Sequence, residues 1–368
     1  MNITGLIPDN RTFIPSDSPL LDYSGRIDFE DKKAPLFIFP YSMVNASFTG
    51  TSLQVIVANY HQYWDNYLGY IIDGEQKKLL LPNHTSPVLL TLAEDLGDGP
   101  HTLTLFKRMD ACHHIALLGF ILSKGGYLLQ VKPKPARRME FYGDSVTAGE
   151  VSEALDYIGR TDPVHNGEYS NSWYSYASIT ARRLHAEAHI IAQGGIALLN
   201  GTGWFNGPEY PGMEYAYSKL SYNRQLGAAK EWDFTRYTPH VVIVALGQND
   251  SHPEDYMKED YSGQKSIRWR DHYHTFLLSL RSLYPNAVII LATTILCHDT
   301  SWDRAVDTVC RELNDPGIHH FVYSRNGCGT PGHIRIPEAE EMAAELSAYI
   351  EAMGSDIWSD SPDIFQYS

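Results

Sequence analysis

The residues of this chain that could do chemistry begin with a serine placed directly after a predicted buried strand. Ser145 follows the apolar run that ends at Tyr142, within the sequence Gly-Asp-Ser. Its hydroxyl would lie at the carboxyl end of a strand, beside the first amide groups of a helix, which favour negative charge. The same tripeptide is also typical of an ordinary turn in which Ser145 caps the helix.

Three further strand and loop ends supply the other parts of a hydrolytic site. A second apolar run is followed by Gly194 and Gly195, and a third leads into Asn249, whose amide can donate a hydrogen bond. His333 stands in a Gly/Pro-rich loop just before the last predicted helix. Together they provide a nucleophile, oxyanion donors and a general base, which are the parts of an ester-cleaving site.

Each of these residues also has a purely structural interpretation. A Gly-Gly pair after a strand can be only a turn, and Asn249 or the adjacent Asp250 can cap the turn that follows. His333 is one of 16 histidines in the chain. Asp144 is expected to stabilise the turn through its side chain rather than to react. The chemical interpretation therefore depends on the occurrence of the whole set.

Composition limits the classes of partner and cofactor. The 368 residues are 43% hydrophobic and 20% charged, with a formal net charge of −15, which argues against nucleic acid and anionic membrane as partners. No stretch approaches the roughly 20 apolar residues of a membrane span. The four cysteines are far apart and are predicted to be reduced thiols. The pairs His113-His114 and His319-His320 lack the spacing of known metal sites, so neither a metal nor another cofactor is expected.

The beginning of the chain bears on its location. It has neither the basic nor the apolar segment of a signal peptide. We therefore expect a cytoplasmic protein, unless a leader has been removed.

The N-terminal part of the chain shows many short apolar runs separated by turn residues. Asp73-Gly74 between two such runs is a strong hairpin signal. This pattern predicts a β-sandwich of jelly-roll type. The predicted strands are 36–39, 52–57, 67–72, 78–81, 102–106 and 115–120.

The pattern changes after a basic connector with two prolines, at 131–138. A domain boundary is placed there, between a sandwich domain of residues 1–134 and an α/β domain of residues 135–368. Continuous apolar runs alternate with helical patterns beyond it, which predicts a doubly wound α/β fold with its site at the carboxyl ends of the strands. The predicted strands are 139–142, 189–192, 241–246 and 288–292, and the helices are 172–184, 273–283 and 337–353.

The order of these blocks resembles the SGNH, or GDSL-type, hydrolase superfamily: Gly-Asp-Ser, then Gly, then Gly-x-Asn-Asp, then His before a C-terminal helix. The N-terminal part resembles the jelly-roll domain of carbohydrate esterase family 2. The segments that carry this second resemblance are Tyr23-Ser24-Gly25-Arg26, Phe48-Thr49-Gly50-Thr51, Ile72-Asp73-Gly74 and Phe106-Lys107-Arg108-Met109. Together the two resemblances cover nearly the whole chain.

The resemblance implies a flavodoxin-like sheet and a metal-independent serine esterase. Such an enzyme would remove acetyl groups from acetylated xylan or mannan, or from their oligosaccharides. Ser145 would attack the acetyl carbonyl, and His333 would take its proton and later activate water. The Ser145 N–H, the Asn249 side chain and a glycine N–H would hold the oxyanion. The order of the family block favours Gly195 over Gly194 as that glycine.

One position departs from the superfamily pattern. An Asp usually stands three residues before the catalytic His, and here that residue is Thr330. We therefore expect a Ser–His dyad, which the resemblance allows because members of this esterase family lack the acid. Asp299 and Asp303, beyond the fourth predicted strand, are the candidates for a displaced acid.

Substrate contacts are predicted from aromatic residues in loops. Trp204 and Trp302 are candidates to line the sugar groove, although each can instead belong to the core. Tyr60, Tyr63 and Trp64 of the sandwich could also reach the cleft, but they are not assigned to the site.

Two other functions compete with a carbohydrate acetyl esterase. One is a general short-chain GDSL-type esterase or lipase, and the other is a catalytically inert carbohydrate-binding protein. No segment is typical of a long acyl tunnel or a lid, and the complete set of catalytic residue types disfavours an inert module. An acetylated oligosaccharide is the expected partner, while the sugar, the hydroxyl position and the oligomeric state are left open.

Overall fold

Two antiparallel sheets of six strands each form the N-terminal part of the molecule. The computed structural model describes residues 1–204 and 209–360. Alternating apolar residues fold in this way because one face of each sheet is then buried against the other. The strands are β1 (Thr12–Pro15), β2 (Asp22–Ser24), β3 (Ile27–Asp28), β4 (Leu36–Phe37), β5 (Met43–Thr49), β6 (Leu53–Tyr60), β7 (Tyr67–Ile72), β8 (Glu75–Leu80), β9 (Val88–Ala93), β10 (Pro100–Lys107), β11 (His114–Leu122) and β12 (Leu128–Leu129).

The two sheets enclose a shared apolar core. The first has the order β3-β4-β11-β6-β9, with β1 paired to β11, and the second β12-β5-β10-β7-β8, with β2 paired to β5. Val57 from the first sheet and Leu105 from the second belong to the same buried cluster. The predicted hairpin joins β7 to β8, and Asp73 and Gly74 have φ of 49° and 89°, as a type I′ turn requires. The predicted two-sheet architecture is present, while its jelly-roll type stays a prediction.

A five-stranded parallel sheet organises the C-terminal part. All residues of the strands Val241–Ala245 and Val288–Ala292 are buried, which explains the continuous apolar runs of the sequence. The strands of this part are β13 (Arg137–Gly143), β14 (Ala186–Ala192), β15 (Lys219–Ser221), β16 (Lys230–Glu231), β17 (Val241–Ala245), β18 (Val288–Ala292) and β19 (Ile318–His320). The parallel order β14-β13-β17-β18-β19 is the flavodoxin-like order 2-1-3-4-5, and β15 and β16 form a separate pair.

Helices connect the parallel strands. The helix predicted from residue 273 already begins at Gln264, and the pattern at 172–184 is a 3₁₀ turn followed by a helix. The helices are α1 (Ser145–Ala148), α2 (Tyr176–Arg183), α3 (Met213–Ala216), α4 (Tyr256–Glu259), α5 (Gln264–Leu283), α6 (Thr300–Leu313) and α7 (Ile336–Ala352), with 3₁₀ turns at Thr4–Leu6, Leu155–Tyr157, Ser172–Tyr174, Phe234–Arg236, Asn249–Ser251 and Asp356–Trp358. Within the described ranges, none of the helices combines the length and apolarity needed to cross a bilayer.

α6 and β19 were not predicted from the sequence. The apolar face of α6 consists of Trp302, Ala305, Val306 and Val309, all fully buried, at the spacing i, i+3, i+4, i+7 of an amphipathic helix. The sequence alone therefore contained the signal for this helix. β19 is only three residues long and carries no comparable pattern.

The basic connector joins the last strand of the sandwich to the first strand of the parallel sheet. β12 ends at Leu129 and β13 begins at Arg137. The predicted boundary at 134/135 falls between them, and the division into domains stays a prediction. Residues 205–208 and 361–368 of the predicted second domain lie outside the described residues.

A buried ion pair joins the sandwich to the parallel sheet. Arg26, between β2 and β3, donates to Glu140 of β13 through Nε (3.2 Å) and Nη2 (2.9 Å), and both side chains are fully buried. The hydroxyls of Tyr142 and Tyr284 also donate to Glu140, at 2.7 and 2.6 Å. Arg26 is therefore the only positively charged group among these three donors to a buried carboxylate.

We expect Arg26→Met to lower the free energy of unfolding by about 3–5 kcal/mol, because it leaves a buried carboxylate without its cation. Lys77→Met is the matched control, since Lys77 pairs with Glu75 at the surface, where both side chains are at least half exposed. A pair of that kind contributes at most about 1 kcal/mol. Urea unfolding of both variants measures the difference, and equal midpoints would contradict the role given to Arg26.

Candidate active site

Ser145 is the first residue of α1 and lies directly after β13. Gly143 permits the sharp turn, because a Cβ there would lie 2.0 Å from Thr147 Oγ1. Asp144 caps α1 by accepting a hydrogen bond from the Val146 N–H at 3.0 Å, which is the turn-stabilising role predicted for it. The alternative that Ser145 itself caps the helix is wrong. Burial raises the pKa of Asp144 to about 6, against the opposing effect of that hydrogen bond.

His333 lies against Ser145 although the two are 188 residues apart in sequence. Its Nε2 is 2.8 Å from Ser145 Oγ, within hydrogen-bonding distance. The loop that carries it is held by Thr330, whose Oγ1 accepts a hydrogen bond from the Gly332 N–H at 3.2 Å. Thr330, the residue that replaces the usual Asp, therefore shapes the loop and does not contact the imidazole nitrogens.

A carboxylate that the sequence analysis did not identify orients His333. Asp162 Oδ2 is 2.6 Å from His333 Nδ1, and Asp162 Oδ1 accepts a hydrogen bond from the His333 backbone N–H at 2.9 Å. Arg335 donates to Asp162 Oδ1 at 2.8 Å. Gly332 makes room, because a Cβ there would be 2.4 Å from Asp162 Oδ1. The expected dyad, with no carboxylate on the imidazole, is therefore wrong.

The two predicted sources of a displaced acid have other partners. Asp299 caps α6 by accepting from the Ser301 N–H at 3.0 Å. Asp303 accepts hydrogen bonds from Thr293 at 2.6 Å and from Asn326 at 2.8 Å. Neither carboxylate contacts the imidazole of His333, so neither candidate is the displaced acid. The acid comes instead from the long loop between α1 and α2, which has no motif or period that marks it.

The charges of Asp162 and His333 stabilise each other. Burial opposes ionisation of Asp162, but hydrogen bonds from His165, His333 and Arg335 hold its pKa well below the usual range. Burial likewise opposes protonation of His333, but the hydrogen bond to Asp162 and the charge of Glu150 raise its pKa. Asp162 is thus a carboxylate at neutral pH, placed to stabilise an imidazolium at His333.

The structure distinguishes the two candidate oxyanion glycines. The Gly194 N–H donates to Asp110 Oδ2 at 2.5 Å and is occupied. The Gly195 N–H has no hydrogen-bond acceptor among the residues that the structure describes, and both glycines line the same cleft as Ser145. Gly195 has a φ of 74°, which favours glycine at this position. Of the two glycines, Gly195 is therefore the one whose backbone N–H is available to an oxyanion.

Asn249 links the nucleophile turn to the loop that carries Gly195. Its Nδ2 donates to Asp144 Oδ2 at 3.1 Å and to the carbonyl of Ile196 at 3.0 Å. The neighbouring Asp250 is fully buried and accepts from the Leu198 N–H with both oxygens, at 3.1 and 3.0 Å. Neither side chain caps the turn that follows, so that alternative is wrong for both.

The two predicted groove tryptophans have different positions. A cleft of about 570 Å³ lies over Ser145, and Trp204 lines it with 66% of its surface exposed. Its ring stacks on His252 with centroids 3.9 Å apart. Trp302 is fully buried on α6 and donates to Asp255 at 2.9 Å, so its prediction as a groove residue is wrong. The helical spacing of the α6 core face could have shown this.

The sandwich also contributes to the cleft, a possibility that the sequence left open for Tyr60, Tyr63 and Trp64; Tyr60 does not line the cavity. Tyr63, Trp64 and Asp110 come from loops of the N-terminal part and line the same cavity as Ser145. The consecutive aromatics Tyr63 and Trp64 were a visible signal, whereas Asp110 had none. The site is therefore built from both parts of the chain.

Asp162, His165 and His333 each offer one ligand atom within 4.8 Å of the others, so they could also hold a metal ion. Two ligands of a tetrahedral metal ion lie about 3.3 Å apart. His333 Nδ1 and Asp162 Oδ2 are 2.6 Å apart, which is closer than two ligands of a metal ion and is typical of a short hydrogen bond.

Known proteins resemble both parts of the chain. The family model described as "Carbohydrate esterase 2 N-terminal" matches residues 23–131. The cellulase/esterase CelE of Acetivibrio thermocellus is 31% identical over 346 residues, covering 91% of this chain and 40% of CelE. An acetylxylan esterase / glucomannan deacetylase of Cellvibrio japonicus is 25% identical over 350 residues, covering 94% of this chain and 92% of that protein. The chain thus spans less than half the length of CelE.

Solved structures agree with these matches. A family two carbohydrate esterase from Clostridium thermocellum, in complex with cellohexaose, has a TM-score of 0.77 at 27% identity, covering 90% of this chain and 98% of that one. A family two carbohydrate esterase from Cellvibrio japonicus has a TM-score of 0.78 at 21% identity, covering 93% of this chain and 98% of that one, and at that identity it supports the fold alone. Both parts of the chain therefore resemble the SGNH-type hydrolases of carbohydrate esterase family 2, as the sequence led us to expect.

Proposed function

We propose that the chain is a serine carboxylic-ester hydrolase that removes acetyl groups from mannan- or xylan-type oligosaccharides. The observation that carries the proposal is the hydrogen-bonded series Ser145–His333–Asp162, which opens into one cleft. The names of the relatives, acetylxylan esterase and glucomannan deacetylase, support the acyl group and the class of sugar. The jelly-roll type of the sandwich is part of the same proposal, and the match of residues 23–131 to the family model supports the resemblance from which it was expected.

In the first half of the proposed reaction the acetyl group moves to the enzyme. Ser145 Oγ forms a bond to the acetyl carbonyl carbon while His333 Nε2 accepts the hydroxyl proton. Asp162 stabilises the resulting imidazolium through Nδ1. His333 then gives the proton to the sugar oxygen, and the ester C–O bond breaks to release the sugar hydroxyl.

In the second half water releases the acetyl group. His333 Nε2 accepts a proton from water as its oxygen bonds to the acyl carbon, and it returns that proton to Ser145 Oγ as the acyl-enzyme bond breaks. The products are acetate and free enzyme. No step requires a metal ion or another cofactor.

The developing oxyanion would be held by the Ser145 N–H, the Gly195 N–H and Asn249 Nδ2. Because Nδ2 already donates to Asp144 and to the carbonyl of Ile196, the oxyanion must compete with one of them for a proton. A tetrahedral oxyanion carries more charge than the ester carbonyl, so this exchange favours the transition state over the bound ester.

We expect Asn249→Ala to lower kcat by about 10²–10³-fold, the usual effect of removing one oxyanion donor. Asn10→Ala, at an exposed position remote in sequence, is the control. Initial rates with 4-nitrophenyl acetate measure both variants. An unchanged kcat for Asn249→Ala would remove this residue from the oxyanion hole.

Acetate release from acetylated mannan and xylan oligosaccharides, with positional analysis of the products, tests the proposed function. Faster hydrolysis of 4-nitrophenyl octanoate than of the acetate would favour a general esterase or lipase. Binding of oligosaccharides without turnover of any ester would favour an inert carbohydrate-binding protein. Dialysis against EDTA is expected to leave the rate unchanged, and a loss restored by zinc would show that the Asp162–His165–His333 group binds a metal ion.

A further inference from the structure

A second histidine lies behind the Ser145–His333–Asp162 series. His165 Nε2 is 3.1 Å from Asp162 Oδ2, and its Nδ1 is 2.7 Å from Glu150 Oε1. An ionised carboxylate can only accept hydrogen bonds, so each ring nitrogen needs its own proton to make both contacts. The geometry therefore calls for an imidazolium at His165. Hydrogen bonds to Asp162 and Glu150 raise the pKa of His165 to about 9, which agrees with that charge state.

The surroundings of His165 hold the ring in place. Trp64 of the sandwich lies on one side, with ring centroids 5.4 Å apart, and His333 on another, at 5.5 Å. Glu150 and Asp162 are the carboxylates that face it directly. Two further charged groups stand behind these carboxylates. Asp110 lies beyond Glu150, and Arg335 donates to Asp162 Oδ1.

His165 and His333 share one acceptor, Asp162 Oδ2. Asp162 alone would favour a protonated His333, and a protonated His333 cannot accept the proton of Ser145. The positive charge of His165 acts in the opposite direction and lowers the pKa of His333. A positively charged His165 can therefore keep Asp162 in position and, at the same time, limit how strongly Asp162 stabilises the protonated form of His333.

We propose that His165 is a positioning residue for the reaction described above. Its imidazolium bridges Glu150 and Asp162, directs Asp162 toward His333 and partly offsets the negative charge of Asp162. This inference rests on the proposed function. It assigns to the loop between α1 and α2 two residues of the site, the acid and its cationic support.

His165→Gln tests the bridge, because glutamine is neutral and carries its N–H donors on a single nitrogen, whereas Glu150 and Asp162 are contacted by two separate ring nitrogens. We expect kcat for 4-nitrophenyl acetate to fall about tenfold or more, the loss typical of a charge-assisted hydrogen bond. Loss of the cation should also raise the pKa of His333, so the acid limb of kcat/KM should move to higher pH. His84→Gln, at an exposed position, is the matched control. A kcat and an acid limb equal to those of the unmodified protein would overturn the proposal.

A double-mutant cycle separates positioning from a merely structural effect. If His165 acts through Asp162, His165→Gln should cause little further loss of kcat in the Asp162→Asn background, because residues that act as a unit are not additive. A full additional loss in that background would overturn the proposal.

Nitrogen NMR of the His165 ring in the unmodified protein supplies a measurement that needs no turnover. Both ring nitrogens should be protonated at pH 7, and a neutral ring would overturn the proposal. This measurement decides the matter if the variant does not fold. It also keeps a failure of the bridge distinct from a failure of the proposed function, which would appear as absence of ester hydrolysis in the unmodified protein.

Discussion

Ser145→Ala is expected to lower kcat for 4-nitrophenyl acetate on the order of 10⁶-fold, the scale seen when a triad serine is removed from a serine hydrolase. The reason is that, among residues 1–204 and 209–360, Ser145 supplies the hydroxyl that is hydrogen-bonded to His333 Nε2. Binding of an acetylated oligosaccharide should persist, because the substitution removes only a hydroxyl group and leaves the rest of the cleft intact.

Ser355→Ala, at an exposed position near the C-terminal end of the described chain, is the control for this experiment. Initial rates and calorimetric binding should be measured on the same preparations. Unchanged turnover in Ser145→Ala would mean that Ser145 is not the nucleophile, and the proposed mechanism would fail with it.

Asp162→Asn is expected to lower kcat by about 10⁴-fold, as when the acid of a triad becomes an amide. The amide can present an N–H to His333 Nδ1, which favours the wrong imidazole tautomer. The pH dependence should change as well. Since Asp162 raises the pKa of His333, its loss lowers that pKa, and the acid limb of kcat/KM moves to lower pH.

Asp299→Asn is the matched control, because asparagine also caps helices and Asp299 has no contact with His333. It should keep most of kcat, as should Asp303→Asn. If Asp162→Asn retained nearly full activity, the contact between Asp162 and His333 would have no role in catalysis. The direction of the pH shift distinguishes Asp162 from His165, whose replacement moves the same limb the other way.

Much of the fold could be predicted from hydrophobic patterns. Continuous apolar runs mark strands buried on both faces, and all four predicted parallel strands are present. The helix α6 could also have been predicted, because the spacing of its buried residues is that of a helix. Had that helix been predicted, Trp302 would have been placed in the core rather than in the groove.

Residues that follow parallel strands converge for a geometric reason. The carboxyl ends of such strands lie along one edge of the sheet, so that Ser145, Gly195 and Asn249 are brought to one cleft whatever the loops between them do. Position along the chain and residue type therefore placed these residues near the cleft, while the choice of Gly195 over Gly194 came from the family resemblance. His333 needed the further information that a Gly/Pro loop precedes the last helix.

The sequence by itself determined the strand ends, the residue types placed on them and hence the kind of reaction to consider. Only the tertiary structure decided that Asp162 faces His333, that His165 stands behind it and that the sandwich supplies a wall of the cleft. The physical reason is that Asp162 and His165 lie in an irregular loop with no period or motif. Their positions are set by contacts such as that between Asp162 and His333, across 171 residues of chain, and not by local pattern.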